Sequence, residues 1–274
     1  MSIFSIKVGI TVVNATDNLL ISAFISTLLV GVYSNYSMIT SVITASTMLI
    51  SSALQASVGN LCVSKDYATI SDIFERIRFL YVTIYAMVCV SMLSLINPFV
   101  ELWAGKEYVL DIRIVSVIVL NLYLTGVHQP IEVFIYGDGL FRYFKIKPWI
   151  EATINLVVSI LLAKPLGIIG IFIGTTVSHI TTTLWYDAKI VYKNSLHKAF
   201  RTYWNSYLMY LLPTFMMGII IGGVSNKIEV SMNPYLSFIV KAVVVVGLSV
   251  VGWILLFGKT EQFKYYSGTL IEKI

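Results

Sequence analysis

Residues 79–100 read FLYVTIYAMVCVSMLSLINPFV, twenty-two positions without one Asp, Glu, Lys or Arg. A helix rising about 1.5 Å per residue needs roughly 20 apolar residues to cross the hydrocarbon core of a bilayer. This stretch is long enough and apolar enough to do so. Seven others qualify on the same ground, at approximately 8–30, 34–58, 112–134, 148–163, 168–188, 204–224 and 235–257. Pro165 and Gly167 make the turn between the fifth and sixth spans. The predicted fold class is all-α, a polytopic transmembrane bundle of about eight spans forming one membrane domain over residues 1–274. No segment between spans is long enough for a soluble domain.

Composition agrees. The 274 residues are 57% hydrophobic and 12% charged, with mean hydropathy +0.84. Soluble domains run at roughly 45–50% apolar and about 25% charged. So little charge cannot cover a water-facing surface of this size, which excludes a soluble enzyme, a disordered chain and a secreted disulfide scaffold. Cys62 and Cys89 read as packing thiols beside apolar runs. A cleavable signal is not indicated, since Lys7 is the one early base and Asn14, Asp17 and Asn18 interrupt the apolar run.

The net charge of +5 is not gathered into a nucleic-acid-binding stripe. Fourteen of the nineteen Lys and Arg fall before the first span or after the second, fourth, sixth and eighth. Four (Lys106, Arg113, Lys164 and Lys227) fall on the opposite side, and Lys241 lies inside a span. Such a bias predicts that both termini are cytoplasmic. Trp103, Trp149, Trp185, Trp204 and Trp253 are expected near span ends, where indole rings settle at headgroup depth. Ser71 to Phe79 reads as an amphipathic, solvated helix running straight into the third span.

Several chemistries have no signature here. H-E-x-x-H, C-x-x-C and the Walker lysine loop are absent, and His128, His179 and His197 are far apart. We therefore expect no metal, no cofactor and no catalytic residue. Gly137-Asp138-Gly139 marks a loop. Two glycine pairs at helical spacing, Gly170 with Gly174 and Gly218 with Gly222, predict close helix packing inside the bundle.

Polar groups within spans carry the functional signal, because an intramembrane charge must face protein or water. The first span holds Asn14, Thr16, Asp17 and Asn18, and the second a long series from Tyr33 to Ser57. That series predicts a second helix bordering an aqueous cavity, the alternative being a face that only hydrogen-bonds to neighbouring helices. The later spans add His128, Gln129 and Glu132 beside Pro130, then Glu151, Asn155 and His179. Glu132 and Glu151 are expected near the cytoplasmic boundary, paired with Arg142, Lys145 or Lys147.

Five strings carry a resemblance: Thr16-Asp17-Asn18, VGVYSNY (Val30 to Tyr36), SVGNL (Ser57 to Leu61), GDGLFRYFKIKPWIEATINLVVSI (Gly137 to Ile160) and GIIGIFIGTTVS (Gly167 to Ser178). In this order and spacing they resemble the C-terminal half of the bacterial polysaccharide flippases. That family shares a superfamily with multidrug and toxin extrusion exporters and lipid II flippases. The resemblance spans about residues 10–200, and the last two spans match only in hydropathy.

The resemblance implies one lobe of a two-lobed exporter, with the last eight helices present and the N-terminal lobe missing. Met1 stands almost at the first span, as an internal start or a frameshifted gene would produce. The implied activity is translocation of undecaprenyl-pyrophosphate-linked oligosaccharide across the bacterial cytoplasmic membrane for capsule, O-antigen or exopolysaccharide assembly. Asp17, Asn18, Asn35, Tyr36 and Gln55 would line the substrate cavity, and Arg142 and Lys145 would stand at its cytoplasmic mouth. The implied partners are the lipid-linked sugar, the bilayer, and a separately encoded N-terminal half or polysaccharide-assembly proteins. The alternatives are a cation-coupled multidrug-type exporter, with Asp17 as the ion switch, or a non-functional truncated remnant. A membrane-embedded polymerase or acyltransferase fits less well, because the outward segment from Glu101 to Arg113 is short and carries no catalytic cluster.

Overall fold

The computed structural model describes residues 16–227 and 233–271, and every regular element within them is helical. In chain order these are α1 (16–24), α2 (Thr27–Ser64), α3 (Tyr67–Trp103), α4 (Ile112–Gly137) and α5 (Lys147–Leu166). They continue with α6 (Ile168–Asn194), α7 (Phe200–Ser225), α8 (Pro234–Phe257) and α9 (Glu261–Ile271). Seven of them, α2 to α8, are long and apolar enough to cross a membrane. The chain is an all-α, multi-pass membrane bundle. The expected first span lies partly outside the described residues, along with Lys7 and Asn14, and α1 is its described part.

The break between the first two spans falls at Ser26, earlier than the expected 31–33. Ser26 leaves helical geometry (φ −172°, ψ 140°), and its hydroxyl accepts from the Leu28 amide at 3.1 Å. The polar run Tyr33 to Tyr36 imitates a boundary but stays helical. Ser34 Oγ donates to the Val30 carbonyl and Asn35 Nδ2 to those of Gly31 and Val32. Side chains that bond back to their own turn remove the reason to leave the helix.

α3 starts where Asp66 caps it, its carboxylate accepting from the Thr69 hydroxyl and amide. The Thr69 hydroxyl, then its amide, hold the Asp66 carboxyl below the usual carboxylate range. The helix then runs unbroken through the amphipathic segment into the span, as expected. Its first turns are less solvated than expected. Asp72 and Arg76 pair at the surface at 2.6 Å, but Ser71, Phe74, Ile77 and Arg78 are buried. Arg78 pairs with Glu75 and donates to the Tyr192 hydroxyl at 3.1 Å.

α3 and α4 form the centre, with Tyr81 and Tyr85 of one and Phe134 of the other fully buried. α2 and α6 lie on α4, α7 and α8 lie on α3, and α5 pairs with α6. The α5–α6 turn needs Gly167, whose φ of +62° is left-handed. Beyond it, a Cβ on Gly170 would stand 2.1 Å from the Leu162 carbonyl oxygen, and one on Gly174 2.0 Å from Ser159 Oγ. The first glycine pair is thus a backbone contact within one bundle. The second is different: at Gly218 a Cβ would meet Leu93 at an ordinary 3.5 Å, and at Gly222 it would meet nothing within 4 Å.

Of the five tryptophans, Trp103, Trp149 and Trp185 are exposed as expected of interfacial rings. Trp253 is not. It is fully buried, 4.4 Å from Phe257 and 6.2 Å from Phe79 between ring centroids. α9, unannounced by hydropathy, docks here: Tyr266 donates to the Arg76 carbonyl at 3.1 Å, and the Arg76 guanidinium lies 3.8 Å above the Tyr265 ring.

Candidate functional site

α2 has two polar faces with different fates. One is buried and bonded across to other helices. Tyr36 Oη donates to Asn97 Oδ1 at 2.7 Å and accepts from the Leu110 amide at 2.9 Å, fixing the segment that joins α3 to α4. About three and four turns on, Thr47 meets the Tyr85 hydroxyl at 2.7 Å, and Ser51 meets the Tyr81 hydroxyl and Gln129 Oε1, each at 2.6 Å. At the far end Gly59 and Gly137 cross closely, a Cβ on Gly59 falling 3.0 Å from the Gly137 carbonyl oxygen. Gln55 is half-buried beside that crossing.

The other face is open. Gly31, Ser34, Ser41, Ala45, Ser46, Ser52, Ala56, Ser57 and Asn60 are exposed along it, and Asn35 is half-exposed. The candidate cavity residues therefore divide. Asn35 and Gln55 border the open face, whereas Tyr36 is fully buried.

α1 lies beside this helix and brings a carboxylate into the bundle. The Thr175 hydroxyl faces both Asp17 carboxylate oxygens at 3.4 Å and accepts from Asn155 Nδ2 at 2.9 Å. Asn155 is fully buried and its Oδ1 has no partner among the described residues. Tyr33 of α2 packs on Phe172 of α6 with ring centroids 4.8 Å apart, closing this corner. Asn18 points outward and is exposed. Asp17, Thr175 and Asn155 thus form one polar chain linking α1, α6 and α5.

No protein-family model, curated protein or solved structure matches this chain.

After α4, the 3-10 turn Leu140–Phe144 carries the candidate mouth cation Arg142, and Lys145 follows directly at its end. Arg142 is exposed, donates to the Tyr143 hydroxyl at 2.8 Å and lies 4.7 Å from that ring's centroid. Lys145 is exposed. Neither pairs with Glu132 or Glu151. Glu151 is held by Lys147 at 2.9 Å and by the Thr183 hydroxyl at 2.9 Å, one of the expected pairings. Glu132 instead faces His128, its own helical neighbour, with Nδ1 and Oε1 3.6 Å apart.

Sequence reasoning missed the residue around which these groups gather. Asp187 of α6 is buried, and its Oδ2 stands 2.9 Å from His128 Nε2 and 3.0 Å from Lys147 Nζ. A signal existed, because Asp187 is the one carboxylate in the 168–188 run. Its closeness to the predicted span end disguised it as a boundary residue.

Proposed function

We propose that this chain is the C-terminal lobe of a transporter moving undecaprenyl-pyrophosphate-linked oligosaccharide across the bacterial cytoplasmic membrane, with both termini inside. The open face of α2 supports this reading. It is a 38-residue helix whose uncovered side carries small, hydroxyl and amide side chains among exposed apolar ones such as Val42, Leu49 and Val63. Such a surface suits a hydrated sugar better than acyl chains. The saccharide and pyrophosphate would move along it while the polyprenyl chain stays in lipid, so no covalent step is required.

Asn18, Asn35 and Gln55 supply hydrogen-bonding groups along that path, and Tyr36 supports it from behind through Asn97 and Leu110. Arg142 and Lys145, exposed after α4, attract the pyrophosphate at the cytoplasmic mouth. A second lobe faces α2 and closes the cavity. Alternating access then follows from rocking one lobe against the other.

A second reading, a cation-coupled exporter of small amphiphiles, draws on the Asp17, Thr175 and Asn155 chain, where a carboxylate meets a hydroxyl and an unpartnered amide oxygen. Two strains separate the readings. In a complete transporter, Asn35→Leu is expected to reduce surface-glycan export at unchanged protein level. Normal export removes Asn35 from the path. A deletion strain with normal surface glycan and raised sensitivity to cationic dyes favours the exporter.

A further inference from the structure

α4 and α6 both depart from a regular hydrogen-bond ladder where they meet. In α4, Pro130 has no N–H to donate to the carbonyl four residues back, so one bond of the ladder is missing two residues after His128 while the helix runs on to Gly137. In α6, His179–Asp187 wind as a π-helix, a form that recurs at functional sites. The two irregular stretches are joined through His128 and Asp187, with Lys147 of α5 on the same carboxylate oxygen.

The imidazole has a carboxylate oxygen beside each ring nitrogen, Asp187 at Nε2 and Glu132 at Nδ1. A neutral imidazole carries one N–H and one lone pair. Asp187 Oδ2 lies 2.9 Å from Nε2 but off the line of a hydrogen bond, and Glu132 Oε1 is 3.6 Å from Nδ1, so the pull between ring and carboxylates is that of ion pairs, which only the doubly protonated, cationic ring makes with both. Charge balance points the same way. Glu132 of α4 and His179 and Asp187 of α6 face His128; Lys147 of α5 joins through Asp187 and holds Glu151, Tyr81 and Tyr85 of α3 and Tyr136 of α4 stand near Glu132, and Tyr203 of α7 lies beyond Asp187. Three carboxylates thus confront one permanent cation, Lys147. Asp187 Oδ1, buried and without a partner among the described residues, adds to the unmet negative charge.

We propose that His128 is a proton-binding site whose second ring proton clamps α4, beside Pro130, onto the π-helical turn of α6. The proton comes from water through Glu132, the partly exposed member with 41% of its side chain accessible, and adds to the imidazole lone pair at Nδ1. Asp187 and Lys147 hold the far side of the ring in place. When the proton leaves by the same route, the carboxylates no longer share a cation between α4 and α6, and the two irregular turns separate. This rests on the geometry of three helices and is independent of the cargo.

The test is the protonation state of His128 in the purified full chain, reconstituted in lipid with its three histidines labelled with nitrogen-15. His128→Gln identifies the signal. At about pH 7.5 His128 is expected to carry both ring protons. Asp187→Asn is expected to abolish the second proton at that pH, and Glu132→Gln to reduce the doubly protonated fraction. Should Asp187→Asn fail to fold, Glu132→Gln at its partly exposed position carries the test. Hydrogen exchange across residues 179–187, corrected for intrinsic pH dependence, is expected to rise about tenfold as the ring loses its proton. A singly protonated His128 in the unmodified chain, or a doubly protonated ring in both variants, overturns the proton site. Exchange that is flat across the titration overturns the clamp.

Discussion

α2 and α8 are the two long helices that bury least, with 11% and 17% of their most apolar stretches covered, yet their open faces differ in kind. α8 presents Val243, Val246, Val251, Ile254 and Leu255, the branched surface that acyl chains cover well. α2 presents serines, alanines, a glycine and asparagines, with Met38, Val42, Met48 and Leu49 between them. Equal exposure therefore does not mean equal surroundings. Small and polar side chains offer lipid little dispersion contact but let another helix or a hydrated cargo approach. Back-bonded hydroxyls such as Ser34, Ser46 and Ser52 lower the cost of crossing the bilayer.

Substitutions can break this comparison, starting within α2 itself. Ser51 is buried and its neighbour Ser52 is exposed. Ser51→Leu crowds the crossing with α3 and α4 and leaves Gln129 Oε1 without its donor. It is expected to destabilise the bundle by roughly 2–4 kcal/mol. Ser52→Leu is expected to stay within about 0.5 kcal/mol. Thermal unfolding of the purified variants measures both, and equal losses would mean that α2 has no open face.

The next contrast is between the helices. Val251→Lys places a charge against lipid and is expected to cost about 2.5–3.5 kcal/mol of apparent insertion energy. Ser41→Lys, facing water or a polar partner, is expected to be inserted with a much smaller loss. Glycosylation-site mapping of inserted chains reads the difference. A smaller effect sharpens the buried side: Tyr36→Phe strips Asn97 and the Leu110 amide of a shared hydroxyl. A loss of about 1–3 kcal/mol is expected, measurable in the same unfolding series. The smallest is Asn35→Leu, with stability unchanged within about 0.5 kcal/mol and the effect confined to export.

Much of the fold was legible because hydropathy reports length and lipid compatibility directly. The spans at 79–100, 112–134 and 235–257 each sit inside one helix, and Gly167 turned the chain where Pro165 and Gly167 were expected to turn it. The α1–α2 boundary was misplaced because Ser34 and Asn35 satisfy themselves on their own helix, which no one-dimensional pattern reveals. Trp253 looked interfacial from its distance to the span end, but α3 brings Phe79 over it from far away in sequence.

The candidate site was legible as a helix rather than as residues. A polar α2 was evident, but 3.6-residue periodicity alone did not say which of its polar positions faced Tyr81, Tyr85 and Gln129. The His128, Lys147 and Asp187 junction was hidden because its members come from three helices, and two of them lie at predicted span ends.

The most direct test of the account is accessibility along the two exposed helices. With Cys62 and Cys89 replaced by alanine, Ser41→Cys and Ser52→Cys on α2 are compared with Val243→Cys and Val251→Cys on α8, in intact membranes. A water-soluble maleimide is expected to label both α2 positions and neither α8 position. If all four resist it and all four react with a lipid-dissolved probe, α2 faces acyl chains as α8 does, and the transport path proposed along α2 is contradicted.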